Sequence, residues 1–446
     1  GGIGLSFYAI SEKEEREQAM RWGVAERPLS PGRTLGYLTV FQIMMAVQCL
    51  PDRESPEIAM IGVAFGILMA AMWGTYLLYR TLKRTAFEAE TIAFFLCTIS
   101  FAVTAAYSPE ALLTQTICVI AGIAVFLVLS LLLRDLKSTV SLRWPVAVFT
   151  CLLLIFNVVL GSRIFGAKNW ISLGPIGFQP SEFVKIGLIF FFSWFLQKNQ
   201  EKINRPSVLV TAAVLAAVPL ALILKQPDLS TSIVIVFFIL CLIYMAGISY
   251  KWIAGALAVA VPSLALVVWL AEHNMMPFLE PYQINRILAF INPGKYAELN
   301  LQQDNSKMAI GSGRLYGKGL FNDTAISVKN GNFLSEEHTD FIFSVIGEEL
   351  GFIGCMIVLL LFLLFVFECL RMASRARDMA GRLFCTGMAA LVGFQSFTNI
   401  AVATGVFPNT GLPLPFISYG VSSLASLYIG IGILLNVGLQ QRKLEF

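Results

Sequence analysis

The chain has 446 residues, of which 57% are hydrophobic and only 13% charged, with 32 Lys and Arg against 28 Asp and Glu. Water-soluble domains are nearer half apolar and a quarter charged, so this composition excludes an ordinary soluble enzyme. It points to repeated crossing of a membrane. Two histidines leave no room for a multi-His metal centre, and the eight cysteines all fall in apolar stretches with no CxxC spacing, as small hydrophobes do.

Residues 1–33 mix charge with Pro28, Pro31 and Gly32 and are expected to form a cytoplasmic leader, with an interfacial helix at 11–22. The chain begins without Met, and no cleavable signal is visible; the first span is expected to do the targeting. Hydropathy predicts about twelve spans, near 34–50, 58–79, 90–107, 110–133, 144–162, 182–197, 207–224, 229–248, 252–271, 341–367, 383–405 and 416–436. With the N-terminus inside, the inner connectors hold 21 Lys and Arg residues, Arg80, Lys83, Arg84, Lys198 and Arg371 among them. The short outer connectors hold Arg53, Arg163, Lys168 and Lys225. That asymmetry orients both ends to the cytoplasm and the loop 272–340 to the outside. The polar stretch 79–90 marks a boundary, giving a leader with two spans over 1–87 and a core over 88–446. The expected fold is all-α, a polytopic membrane helix bundle.

Taken in chain order, the polar residues near these spans offer several chemistries. Glu182 and Lys185 share one helical face at i,i+3 spacing. They read either as a structural ion pair or as a polar wall of a substrate cavity. In Gln226-Pro227-Asp228-Leu229, Asp228 is placed to cap a helix, since side-chain oxygens satisfy free N–H groups there. The outer loop opens with Pro281-Tyr282-Gln283-Ile284-Asn285-Arg286. Its segment Gly311-Ser312-Gly313-Arg314-Leu315-Tyr316-Gly317-Lys318-Gly319 departs from the phosphate-loop pattern. It reads either as plain turns or as backbone N–H groups and cations, with Lys307, for a pyrophosphate.

Asp340 stands where the outer loop meets a long apolar run, beside Glu336, Glu337 and His338. It reads either as an acid favoured by a helix dipole or as a base at the membrane surface. Glu348 and Glu349 lie two turns further on and must face protein or water rather than lipid. Pro408-Asn409-Thr410-Gly411-Leu412-Pro413-Leu414-Pro415-Phe416-Ile417-Ser418-Tyr419-Gly420 is too rich in Pro and Gly for an intact helix; such backbone at membrane depth lines cavities.

Seven of these segments occur together in one order. They are Gly166-Ala167-Lys168-Asn169-Trp170-Ile171-Ser172-Leu173-Gly174, Phe178-Gln179-Pro180-Ser181-Glu182-Phe183-Val184-Lys185, Gln226-Pro227-Asp228-Leu229, and Ser306-Lys307-Met308-Ala309-Ile310-Gly311-Ser312-Gly313 with Gly317-Lys318-Gly319. After them come His338-Thr339-Asp340-Phe341-Ile342-Phe343, Gly347-Glu348-Glu349-Leu350-Gly351 and Pro413-Leu414-Pro415-Phe416-Ile417-Ser418-Tyr419-Gly420. In this the chain resembles the SEDS family (shape, elongation, division and sporulation), over roughly residues 88–446. It looks RodA-like, with two extra N-terminal helices before a ten-helix core.

The resemblance implies a peptidoglycan glycosyltransferase of the bacterial cytoplasmic membrane. Such an enzyme joins an undecaprenyl-pyrophosphate-linked glycan to lipid II and works with a class B penicillin-binding protein among membrane lipids. It implies Asp340 as the catalytic base. We take Glu182, Lys185, Trp170, Asp228, Arg286, Lys307, Lys318 and His338 as candidate substrate-binding residues. A divalent cation (Mg or Mn) is compatible with the pyrophosphate chemistry, but no ligand cluster demands one; no nucleic-acid partner is expected. Two rival readings are a lipid II flippase or transporter and a non-catalytic scaffold of a cell-wall complex.

Overall fold

The structure, a computed structural model, describes residues 31–439 apart from 52, 82–86, 108, 133–135, 165–166, 174–175, 227, 274–280 and 321–338. The expected helix at 11–22, and Glu336, Glu337 and His338, lie outside the described residues. Each of the twelve predicted spans coincides with a helix: α1 Pro31–Gln48, α2 Ser55–Thr81, α3 Glu88–Tyr107, α4 Pro109–Leu132, α5 Leu136–Leu160, α6 Pro180–Lys198, α7 Pro206–Leu224, α8 Leu229–Met245, α9 Tyr250–Glu272, α12 Ile342–Arg375, α13 Met379–Ala403 and α14 Val421–Leu439. Two further helices, α10 Pro281–Ile291 and α11 Ala297–Ser312, lie in the long loop 272–340. Six of the described helices are long and apolar enough to cross a membrane, and several shorter apolar ones accompany them. The chain is a multi-pass membrane protein.

Local sequence explains where the helices begin. Pro31, Pro109, Pro180, Pro206 and Pro281 each open one. Proline suits the first helical position because its missing N–H would have no partner there. Asp228 and Asp378 cap α8 and α13, accepting the backbone N–H of Thr231 at 3.0 Å and of Gly381 at 3.1 Å. The capping reading of Asp228 therefore holds in the structure.

The connector after α5, where the all-α reading named no strand, carries a small antiparallel sheet in the order β1-β2-β3, with β1 Ser162–Ile164, β2 Ala167–Leu173 and β3 Ile176–Phe178. β1 and β3, of three residues each, are too short to show a two-residue alternation, and β2, Ala-Lys-Asn-Trp-Ile-Ser-Leu, does not alternate apolar with polar, which is why the sequence hid them. The backbone N–H of Gln179, just after β3, donates to Ser422 Oγ at 2.8 Å and ties this sheet to the start of α14.

The spans differ in how much of them is enclosed. α3 and α13 have 83% and 72% of their apolar stretches buried, against 28% for α7, so α3 and α13 form the middle of the bundle. α13 packs on α12, α8, α6 and α14. The two N-terminal helices are joined to the rest by polar as well as apolar contacts. Gln42 in α1 donates to Thr98 Oγ1 in α3 at 3.2 Å, and Arg53 donates to the carbonyls of Ala105 and Ala106 at 3.2 and 3.0 Å.

α12 is broken inside its length at Gly351, where φ is 65° and ψ −164°. The glycine-rich segment of the long loop closes this break. Lys318 and Gly319 donate their backbone N–H groups to the carbonyls of Glu348 and Glu349 at 2.9 and 3.0 Å. On the other side of the break, Phe352 and Ile353 donate to Arg314 and Leu315 at 2.8 and 3.2 Å. Gly317, with φ of 82°, approaches so closely that a Cβ there would sit 2.1 Å from the Glu349 carbonyl oxygen. Backbone groups freed by the kink are thus satisfied, as groups at membrane depth must be. The turn reading of this segment is the one its geometry follows.

Candidate active site

Asp340 lies in a turn one residue before Phe341, the N-cap position of α12, and is half-buried. Its surroundings come from four places in the sequence. Asn399, near the end of α13, donates to the carbonyl oxygen of Asp340 at 2.8 Å and to that of Leu412 at 2.7 Å. Ser418 donates to the carbonyl of the preceding Thr339 at 2.6 Å while its Oγ accepts the backbone N–H of Leu414 at 2.7 Å. The segment 408–420, which has no helix or strand, is in this way fastened to the backbone on both sides of the carboxylate.

Arg286 of α10 reaches the same place. The position that a Cβ on Gly411 would occupy is 3.2 Å from Asp340 Oδ2 and 4.0 Å from Arg286 Nη1. A carboxylate and a guanidinium therefore both approach a glycine, whose missing Cβ leaves the space open and whose φ of 71° disfavours any side chain there. α11 holds this corner from the side. Gln303 donates to the carbonyls of Val402 and Phe407 at 3.1 and 2.8 Å, and Ser306 to that of Ala403 at 2.6 Å. Ala309, Phe341 and Val402 form a small apolar cluster beside it, with Phe407 packed against them.

Glu182 and Lys185 are 3% and 1% exposed and form an ion pair of 2.8 Å inside the bundle. The Lys185 ammonium also donates to Gln395 Oε1 at 2.8 Å, and Gln395 Nε2 donates to the Pro413 carbonyl at 2.9 Å. The pair is therefore connected to the loop that meets Asp340. Ser230, following the Asp228 cap, donates to the carbonyl of Thr410 in the same loop. Phe416 adopts φ of 63°, rare for a residue with a side chain, and is buried against Phe365 and Tyr428 with ring centroids 5.4 and 6.3 Å away.

Lys318 and Lys307 are each held by a neighbouring acid. Lys318 pairs with Glu348 at 2.6 Å. Lys307 is half exposed and pairs with Asp304 at 2.7 Å, its stem close to Gly405 at the end of α13. Trp170 lies in β2, opposite Ser162 of β1. Among the described residues no group of three His, Cys, Asp or Glu side chains is placed to hold a metal ion. The residues that sequence reasoning missed are Gln395 and Asn399; Gly411 and Ser418 lie in the Pro- and Gly-rich segment read as cavity lining, where neither was given a role of its own. Two amides four residues apart in a membrane span were the available signal, because polar groups there need a partner.

Arg286, the Asp340 carboxylate and a Pro- and Gly-rich loop at one end of an apolar bundle can bind an anionic group and accept a proton beside it. Known proteins are similar to this chain over most of its length. A family model for FtsW, RodA and SpoVE, described as a cell cycle protein, matches residues 59–443. The probable peptidoglycan glycosyltransferase FtsW of Trichlorobacter lovleyi is 38% identical over 301 residues, covering 66% of this chain and 76% of the relative. The peptidoglycan glycosyltransferase MrdB of Escherichia coli is 33% identical over 333 residues, 73% and 86% of the two chains. Among solved structures, the rod shape determining protein RodA of Thermus thermophilus superposes with a TM-score of 0.60 at 28% identity, covering 80% of this chain and 97% of that one. A chain of a peptidoglycan synthase complex, solved for its coordination of polymerization and crosslinking, gives 0.65 at 30% identity, covering 79% and 98%.

Proposed function

The chain belongs to the FtsW, RodA and SpoVE family, and from that premise we propose that it is a peptidoglycan polymerase in which Asp340 is the general base. The donor is the growing glycan on undecaprenyl pyrophosphate, and the acceptor is the GlcNAc 4-hydroxyl of lipid II. Asp340 takes the hydroxyl proton as the oxygen attacks C1 of the donor MurNAc. The new C–O bond forms as the bond from C1 to pyrophosphate breaks, with inversion, and the electron pair leaves with the pyrophosphate. Base assistance of this kind is worth about 10²–10⁴-fold in rate. Arg286 supplies a fixed positive charge for the departing group, whose charge develops as the bond breaks.

The observation that carries this reading is the convergence of Asp340 and Arg286 on Gly411. The sidedness of the charged connectors, with 21 Lys and Arg on the inner set, supports cytoplasmic ends and a reaction on the outer face of the bacterial cytoplasmic membrane. The solved relative in a peptidoglycan synthase complex supports a crosslinking partner, which we take to be a class B penicillin-binding protein. Residues 1–87, with α1 and α2, form a module added to a core over 88–446. Trp170, Lys307 and His338 are the candidates for holding the lipid-linked sugars around this centre.

Purified protein, alone and with the transpeptidase, tests the proposal when given fluorescent lipid II in liposomes. Glycan chains longer than one disaccharide are the expected product. Transfer of the label across the bilayer with no polymer would favour the flippase reading instead.

A further inference from the structure

We propose that Gln395 and Asn399 are positioning residues that hold Asp340 and the loop facing it in one geometry, and that Lys185 acts through Gln395. This deepens the reading of Asp340 given above and rests on it. The two amides are four residues apart on α13, hence on one face and one turn apart, and both are buried, at 2% and 1% exposure. Asn399 uses one nitrogen for two carbonyls, that of Asp340 and that of Leu412, and an amide NH₂ has two hydrogens to give. Gln395 grips the next carbonyl along, that of Pro413. Two consecutive peptide units of a segment without secondary structure are thus fastened to a rigid helix, and the residue before them is Gly411, which abuts Asp340 Oδ2 and Arg286 Nη1.

The orientation of Gln395 is fixed by Lys185. Its ammonium donates to Gln395 Oε1 and to Glu182 Oε1, each at 2.8 Å. Turning the amide over would set its NH₂ against a cation and its oxygen against the Pro413 carbonyl. Lys185 is 1% exposed, and both these bonds are made inside the protein. Its contribution to the reaction is to aim the amide that holds the loop.

The test is steady-state lipid II polymerisation by the full chain in nanodiscs, with the folded fraction measured by thermal melting. Asn399→Leu and Gln395→Met are expected to lower kcat per folded molecule 10- to 100-fold while KM changes less than threefold. A merely structural role would lower the folded fraction and leave kcat per folded molecule as it was, which would overturn the proposal. Should Asn399→Leu not fold, Gln395→Met decides by the same criterion. Replacing the ion pair together, as Glu182→Leu with Lys185→Met, avoids stranding a charge. Added to Gln395→Met, this double replacement is expected to lower kcat no further, whereas multiplied losses would show that Lys185 works independently of Gln395. Asp340→Asn is measured alongside. If it polymerises at the full rate, the base reading falls and this inference with it. If it is inert while Asn399→Leu and Gln395→Met keep the full kcat, the positioning inference alone falls.

Discussion

The Lys318 ammonium lies 2.6 Å from Glu348 Oε1, and the backbone N–H of the same lysine donates to the Glu348 carbonyl at 2.9 Å. One residue of the long loop is thus bound twice to one residue at the broken turn of α12. The Glu348 side chain is 2% exposed and that of Lys318 22%. Removing one partner of a buried pair strands the other and costs about 3–5 kcal/mol. With Lys318 partly solvated, the lower end applies. Lys318→Met is expected to lower stability by about 3 kcal/mol in chemical unfolding in detergent, and adding Glu348→Gln should recover most of it. An unfolding curve for Lys318→Met matching the wild type would show that the pair carries no stability.

Gly317 tests the same junction through the backbone. Its φ is 82°, and a Cβ would meet the Glu349 carbonyl oxygen at 2.1 Å. Gly317→Ala should therefore cost well above the ~1 kcal/mol at which a compatible glycine exchange changes stability. Its yield of folded protein in a size-exclusion profile should fall. The exposed Gly294 has open space around it, and Gly294→Ala serves as the control that leaves the profile unchanged.

Gly411 separates activity from stability. A methyl there would press on Asp340 Oδ2 at 3.2 Å and would force a side chain into a left-handed conformation. Gly411→Ala is expected to slow polymerisation about tenfold, equivalent to about 1.4 kcal/mol of barrier, with a small change in melting temperature. Full activity would place the reacting atoms away from this contact.

Arg53 is one polar fastening between the N-terminal pair of helices and α3, beside that of Gln42. Its guanidinium donates to the last carbonyls of α3, at Ala105 and Ala106, and pairs with Glu57 at 3.4 Å. Hydrogen bonds involving a charged group contribute about 1.5–3 kcal/mol. Arg53→Ala should lower stability by roughly 2 kcal/mol in thermal unfolding while leaving kcat unchanged. A fall in kcat at unchanged stability would instead tie α1 and α2 to the reaction.

The membrane spans were legible because an apolar run of span length is the strongest signal a sequence carries. The Asp228 cap was legible because its residue type and position state a local mechanism. α10 and α11 were not read as helices. α11, Ala297–Ser312, is mostly polar and lacks the apolar stripe that marks a packed helix. The partner of Lys318 could not be read either, since Glu348 stands 30 positions away in sequence and only the fold brings the two together. At the candidate site the sequence supplied the carboxylate and the arginine, and the fold supplied what holds them. Gln395 and Asn399 look in sequence like isolated polar residues in an apolar helix. Their meaning depends on the carbonyls of Asp340, Leu412 and Pro413, which only tertiary structure places beside them.

The central claim is that Asp340 takes a proton in sugar transfer. The most direct measurement compares wild type with Asp340→Asn and Asp340→Glu, each purified folded, in the rate of glycan formation from lipid II in the presence of the transpeptidase. The account predicts a loss of about 10²–10⁴-fold for the amide and partial activity for Asp340→Glu, which keeps a carboxylate. Glycan formed by a folded Asp340→Asn protein at the wild-type rate would contradict it.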